Sequence, residues 1–248
     1  MIRYACTMTA AALMLTVLPG AAKAEVSPFT TTTLSAASNA AIFDATFTID
    51  GAKTSLNNQV FASGKAPPAY NKTTPLASYA KKETFGLLSL NANAGTLAST
   101  AKAVSTAGGG LTSSAGASLK TLSAVFSSPL GNALSISATG IASTVSFAAT
   151  KTGAPVTKAT TAIGSLNIDG TGLGIGKLQF AGTPAVNQIL YQNNAKTIVI
   201  TLNQQKVTKA AGKATSITVS ALTIHIADYS AAGHTISGDI EIAPAMAN

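Results

Sequence analysis

A chain of 248 residues, 46% hydrophobic and only 10% charged, has material for a sizeable core and lacks the charge density that keeps disordered chains open. One cysteine, Cys6, and two histidines leave no basis for a disulfide framework or a cysteine-ligated zinc site. The formal net charge is +8, but Arg3 is the single arginine, so the guanidinium forks favoured at nucleic-acid interfaces are missing and nucleic acid is not an expected partner.

The first residues follow the order of a secretory signal peptide: Arg3, an apolar run over 10–18, Pro19-Gly20, then the small residues Ala22 and Ala24 on either side of Lys23. That run is shorter than the roughly 20 residues a membrane-spanning helix needs. Cys6 precedes it, where it cannot be the lipidated cysteine of a lipoprotein. We therefore read 1–24 as a cleaved signal peptide and 25–248 as a single all-β domain. Loss of Arg3 and Lys23 lowers 16 basic residues to 14 against 8 acidic ones, a net charge of +6 carried by lysine alone. The lysines are scattered singly, as Lys53, Lys65, Lys72, Lys151, Lys158 and Lys177, apart from Lys81-Lys82. Such a charge suits solubility and weak attraction to acidic polysaccharide or lipid headgroups. No later segment is long and apolar enough for a transmembrane helix, so the expected product is secreted or held at the cell surface or outer envelope, with the periplasm as the alternative.

After the signal peptide, alternation with period two dominates. Phe43, Ala45, Phe47 and Ile49 point one way and Asp44, Thr46 and Thr48 the other, with Asp50-Gly51 as a turn, which predicts the first strand. Val60 to Ser63 predicts a second, and 65–75, with Pro67-Pro68 and Pro75, predicts a loop. From 85 to 147 alanine, serine and glycine interleave with aliphatics to give Ala/Ser/Gly-rich arms. Leu88, Leu90, Ala92 and Ala94 share a face, as do Leu134, Ile136 and Ala138. Beyond Gly140 the set becomes Ile141, Val145 and Phe147, a phase change that predicts a bulge or bend, and Gly108-Gly109-Gly110 separates two arms. Compact C-terminal strands over 163–243 are expected at Leu166–Ile168, Leu178–Phe180, Ile198–Leu202, Ile217–Ile226 and Ile236–Ile242. This spacing predicts an antiparallel β-sandwich with Ile198, Ile200, Leu202, Ile217, Val219, Ile240 and Ile242 in its core. The loose Ala/Ser/Gly texture keeps a β-helix or solenoid as the alternative. Aromatic residues at 5% are too few for the two girdles of an outer-membrane barrel.

Few constellations invite chemistry. Gly170, Gly172, Gly174 and Gly176 tempt a phosphate-loop reading, but the spacing is wrong and no helix follows. His225 and His234, with Asp228 and Asp239 nearby, are the residues an acid/base enzyme would use, and their irregular spacing makes a poor metal site. Asp239 and Glu241 share a strand face, as glycosidase carboxylates might and as any solvent-facing strand would. The threonines at 30–33, 73–74 and 160–161 are too irregular for an ice-binding array. No catalytic, cofactor-binding or metal-binding residue is assigned.

Three blocks carry a family resemblance: Thr197 to Gln205, Ile217 to Ile226, and Gly238 to Ala247. They resemble the C-terminal half of the choice-of-anchor P family of exported bacterial proteins, and the arms of 85–147 resemble that family's middle region. The resemblance implies a surface or secreted β module whose members differ in their C-terminal anchors, with no catalytic residues to carry over. Gln204 stands where that family has glutamate, His225 is displaced, and an anchor and cysteines are lacking. The expected function is a non-catalytic structural or adhesive module that binds envelope polysaccharide or another surface protein. A secreted hydrolase using a His/Asp pair is the alternative.

Overall fold

The structure is a computed structural model that describes residues 36–56, 61–85, 88–106, 109–128, 131–149, 153–211, 213–231 and 234–248. The expected signal peptide, the threonines of 30–33, Val60 and Gly108 lie outside the described residues. The strands in chain order are β1 Ala36–Ala41, β2 Phe43–Ile49, β3 Ala52–Leu56, β4 Phe61–Ala66, β5 Tyr70–Phe85, β6 Leu88–Thr106, β7 Gly110–Ser128, β8 Gly131–Ala149, β9 Val156–Asp169, β10 Lys177–Gly182, β11 Gln188–Gln192, β12 Ile198–Ala210, β13 Lys213–Ala231, β14 His234–Ile242 and β15 Ala245–Ala247. They form two sheets. Sheet A runs β3-β2-β14-β13-β15-β1-β4, with β12 on the other edge of β13 and β11 beyond it; sheet B runs β10-β9-β8-β7-β6-β5.

Every pairing is antiparallel. Strands with one aliphatic and one polar side must hide the first, and one core cluster takes residues from both sheets. The fold is therefore a sandwich, and the solenoid alternative falls away because no ladder among the described residues is parallel. The seven core residues expected from the sequence are each at most 2% exposed. Five of the six strands of sheet B are 14 to 19 residues long, so the arms span roughly 45–60 Å at about 3.3 Å per residue.

One expectation fails. The stretch 65–75 is not a loop: β4 runs to Ala66, only 67–69 leave the ladders, and Pro75 lies inside β5. Proline lacks a ladder donor, but β5 is the edge of sheet B and pairs β6 alone, where a missing N–H costs little.

The bend expected at Gly140 is part of a crease that crosses the sheet. Inward residues run Leu90, Ala92, Ala94 and then Leu97 in β6, Leu119 then Leu122 in β7, Ala138 then Ile141 in β8, and Ile163 then Leu166 in β9. The skipped positions Ala77, Thr96, Lys120, Gly140 and Gly164 lie opposite one another along one line. Thr96 and Gly140 have φ of 47° and 60°, and a Cβ on Gly164 would sit 2.8 Å from the Thr139 carbonyl. Positive φ and close backbone approach are what glycine supplies cheaply.

Sheet A is creased as well. Asn203, with φ of 49°, and Ala221 are skipped between β12 and β13. Ile42 separates β1 from β2, and Ala243-Pro244 separate β14 from β15. The Ala41 amide donates to Pro244 O at 2.9 Å, and the Ala243 amide to Ile42 O at 2.8 Å.

Polar side chains join the layers at this level. Asn203 is 4% exposed, its Nδ2 donates to Pro184 O at 3.1 Å, and its Oδ1 accepts from Thr161 Oγ1 at 3.0 Å and Gln205 Nε2 at 2.9 Å. Ser143 Oγ, also buried, donates to Ala243 O. Buried polar groups with their hydrogen bonds made hold a packing in one register, because any slip leaves them unpaired.

Candidate functional site

The His/carboxylate residues singled out from the sequence separate into two places. His225 on β13 and Asp239 on β14 are direct partners in register, and His225 Nδ1 lies 2.6 Å from Asp239 Oδ1. Their side chains are 51% and 56% exposed on the outer face of sheet A, since the flanking Ile224 and Ile226 fill the core. Asp228 lies elsewhere, at a bulge, where its carboxylate accepts from Ser237 Oγ at 2.9 Å. His234 opens β14, and its side chain lies outside the described residues.

Asp239 and Glu241 do share the outer face. Glu241 accepts from Ser220 Oγ at 2.8 Å and lies opposite Asp44 across β2. Among the described residues no hydroxyl bonds to His225, and no group of three or more His, Cys, Asp or Glu is arranged to hold a metal ion. No helix among them is long and apolar enough to cross a membrane.

The glycine-rich stretch is a structural plug. Gly170 takes both ends of the loop, its N–H donating to Gly176 O at 2.8 Å and its carbonyl accepting from the Leu173 and Ile175 amides at 2.8 and 3.0 Å. Leu173 and Ile175 are buried in the core cluster, and a Cβ on Gly172 would collide with Asn132 O at 2.6 Å. Beside the plug, Thr171 donates through its Oγ1 and its amide to Asp169 Oδ1 at 2.6 and 3.2 Å. These bonds, and then the charge of Lys177, hold the Asp169 carboxyl below the ordinary carboxylate range.

The most constructed surface is the outer face of sheet B. Alternation along each strand sets serine, threonine and asparagine outward, and register aligns them into rows roughly 4.8 Å apart from strand to strand. On one side of the crease lies the row Asn71, Lys102, Ser114, Ser146, Lys158, and next to it the row Thr73, Thr100, Gly116, Thr144, Thr160. Thr144 Oγ1 and Thr160 Oγ1 are 2.6 Å apart, and Thr100 Oγ1 donates to Gly116 O at 3.4 Å. A cleft of about 280 Å³ lies along these rows, lined by Thr100, Ser114, Thr144, Ser146, Lys158 and Thr160 together with Ala115, Val145 and Ala159.

Across the crease the arrangement recurs. Gly95 lies between Ser78 and Thr121, a Cβ on it would sit 2.8 Å from Thr121 Oγ1, and a cleft of about 370 Å³ is lined by Ser78, Asn93, Thr121 and Ser123. Lys82, Lys102, Lys120 and Lys158 are exposed on this face, while Asp169 at its border is paired with Lys177 at 3.7 Å. This gathering is not visible in the sequence, because the residues come from five strands and stand far apart in the chain. The available signal was parity: Lys102 and Lys158 occupy outward positions of their alternating strands.

Comparison of the chain with protein-family models, with curated proteins and with solved structures gives no match. The three blocks of the family resemblance are neighbours in sheet A, on β12, β13 and β14 with β15.

Proposed function

We propose that the chain is an exported, non-catalytic β module of the cell surface or extracellular space that binds an acidic envelope polymer through the outer face of sheet B. One observation carries the reading: two clefts whose linings both include serine and threonine hydroxyls, in a face whose unpaired charges are lysines. Hydroxyls and amides suit the hydroxyls of a polysaccharide, and lysines suit its carboxylates or sulfates as solvated point charges. The leader of 1–24, with cleavage after Ala24, and the likeness to choice-of-anchor P proteins are parts of the same proposal.

Purified protein should be retained on isolated envelope or exopolysaccharide at low salt and released at high salt, because exposed ion pairs are screened. Absence of retention on every fraction would sink the reading. Mass spectrometry of the exported product should show Glu25 as its first residue; a product starting at Met1 would remove the export half.

The hydrogen bond between His225 and Asp239 favours a second reading, a secreted hydrolase. It supplies an oriented imidazole but no bonded nucleophile and no enclosing cleft, both of which such catalysis requires. Hydrolysis of an envelope glycan that disappears in His225→Ala would establish it.

A further inference from the structure

Edge strands expose unpaired backbone groups, and proteins guard them with lysine, proline or a covering element. Among the described residues the edges of this sandwich differ in that guard. β5 carries Pro75, Lys72, Lys81 and Lys82; β10 carries Lys177; β3 and β4 carry Lys53 and Lys65. β11 carries nothing of the kind. The segment Asn187 to Asn193, Asn-Gln-Ile-Leu-Tyr-Gln-Asn, has no charge, no proline and no glycine, which is the composition of segments that pair with copies of themselves. Among the described residues only one edge of β11 is occupied, by β12. Ile189 is 56% exposed, and Val186, in the turn that leads into the strand, is 59% exposed.

We infer that the free edge of β11 pairs with β11 of a second copy, antiparallel about a two-fold axis at Leu190, so that sheet A continues through a dimer. The register follows from the strand itself. Leu190 is the extra residue of a bulge, since Gln188 and Ile189 pair Leu202 and Thr201 whereas Tyr191 and Gln192 pair Ile200 and Val199. A partner strand keeps step on both sides of a bulge only by having the same extra residue opposite it, which another β11 provides. That alignment sets Gln188 against Gln192 and Ile189 against Tyr191, an amide pair and an aromatic–β-branched pair, both favourable across strands. A two-fold contact repeats both and closes at two copies. The corresponding self-pairing of β5 would place Pro75, which has no N–H, at the new ladder.

The inference is independent of polymer binding. Sedimentation velocity of the purified exported chain at micromolar concentration tests it, using wild type, Ile189→Lys, Ile189→Glu and, on the other edge, Leu76→Lys. Both substituted side chains are solvent-exposed, and circular dichroism checks that each variant folds. The expected result is a dimer for wild type and Leu76→Lys, a halved mass for each Ile189 variant alone, and recovery of the dimer when the Lys and Glu variants are mixed. A monomeric wild type, a dimer that survives Ile189→Lys, or growth into open fibres would each overturn it.

Discussion

The outer faces of the two sheets are built from the same alternation and end with different character. Sheet B presents hydroxyls, amides and the exposed lysines 82, 102, 120 and 158, with two clefts. Sheet A presents Asp44, Asp239 and Glu241 around one exposed histidine, with Lys53 and Lys206 exposed on the same face. Net charge alone does not reveal this division. The chain has one face whose unpaired charges are lysines and another on which carboxylates and lysines mix, so orientation on a charged surface follows from the fold.

Both faces depend on the crease, and breaking it has the largest expected effect. Asn203→Ala removes a buried side chain that bonds Thr161, Gln205 and Pro184, and it places alanine at a positive φ. Unsatisfied buried partners cost about 1–3 kcal/mol and left-handed backbone adds roughly 1 more. Urea unfolding should show the unfolding free energy lowered by that amount, read as a lower midpoint at unchanged slope. A loss below about 0.5 kcal/mol, the ordinary scatter of surface changes, would mean that the buried contact does not fasten the layers.

The next test sharpens the comparison itself. Lys102→Glu with Lys158→Glu should weaken retention on acidic polysaccharide at low salt by about tenfold, at roughly 0.5–1 kcal/mol per exposed charge contact. Asp44→Lys with Asp239→Lys on the other sheet should leave retention unchanged or slightly raise it. A gain from the aspartate pair as large as the loss from the lysine pair would show that net charge alone decides binding. His225→Ala, which breaks an exposed hydrogen bond, should shift stability by less than about 0.5 kcal/mol and leave retention as it was.

The sequence announced the strands wherever aliphatics alternate cleanly: the core of β12, β13 and β14 is where Ile198 to Ile242 put it. It announced the crease only at Gly140, because glycine marks a bend, whereas Thr96 and Lys120 hold the same line, and Asn203 the crease of sheet A, without any compositional sign. The loop expected around Pro75 shows the limit of reading residues without topology, since proline excludes a central strand but not an edge. The candidate face was illegible for a related reason. Lys102 and Lys158 come into one row only through three antiparallel registers, and a single sequence shows none of them.

The smallest effect lies at the border between sheet B and its plug. Asp169 accepts two bonds from Thr171 and faces Lys177, so its carboxyl is held below the ordinary value of 3.8 in the folded chain. A folded value below the unfolded one favours the folded state once the carboxylate is ionised. That contribution is present above the unfolded value and is lost as pH falls through the folded one. The group is solvent-exposed, so screening keeps the effect slight. Asp169→Asn removes the titration while keeping an acceptor for Thr171. The urea midpoint of wild type should therefore drop more than that of Asp169→Asn when pH is lowered from neutrality to below 3.8. Parallel acid profiles would show that the plug holds without help from the Asp169 charge, leaving Leu173 and Ile175 as what seats it.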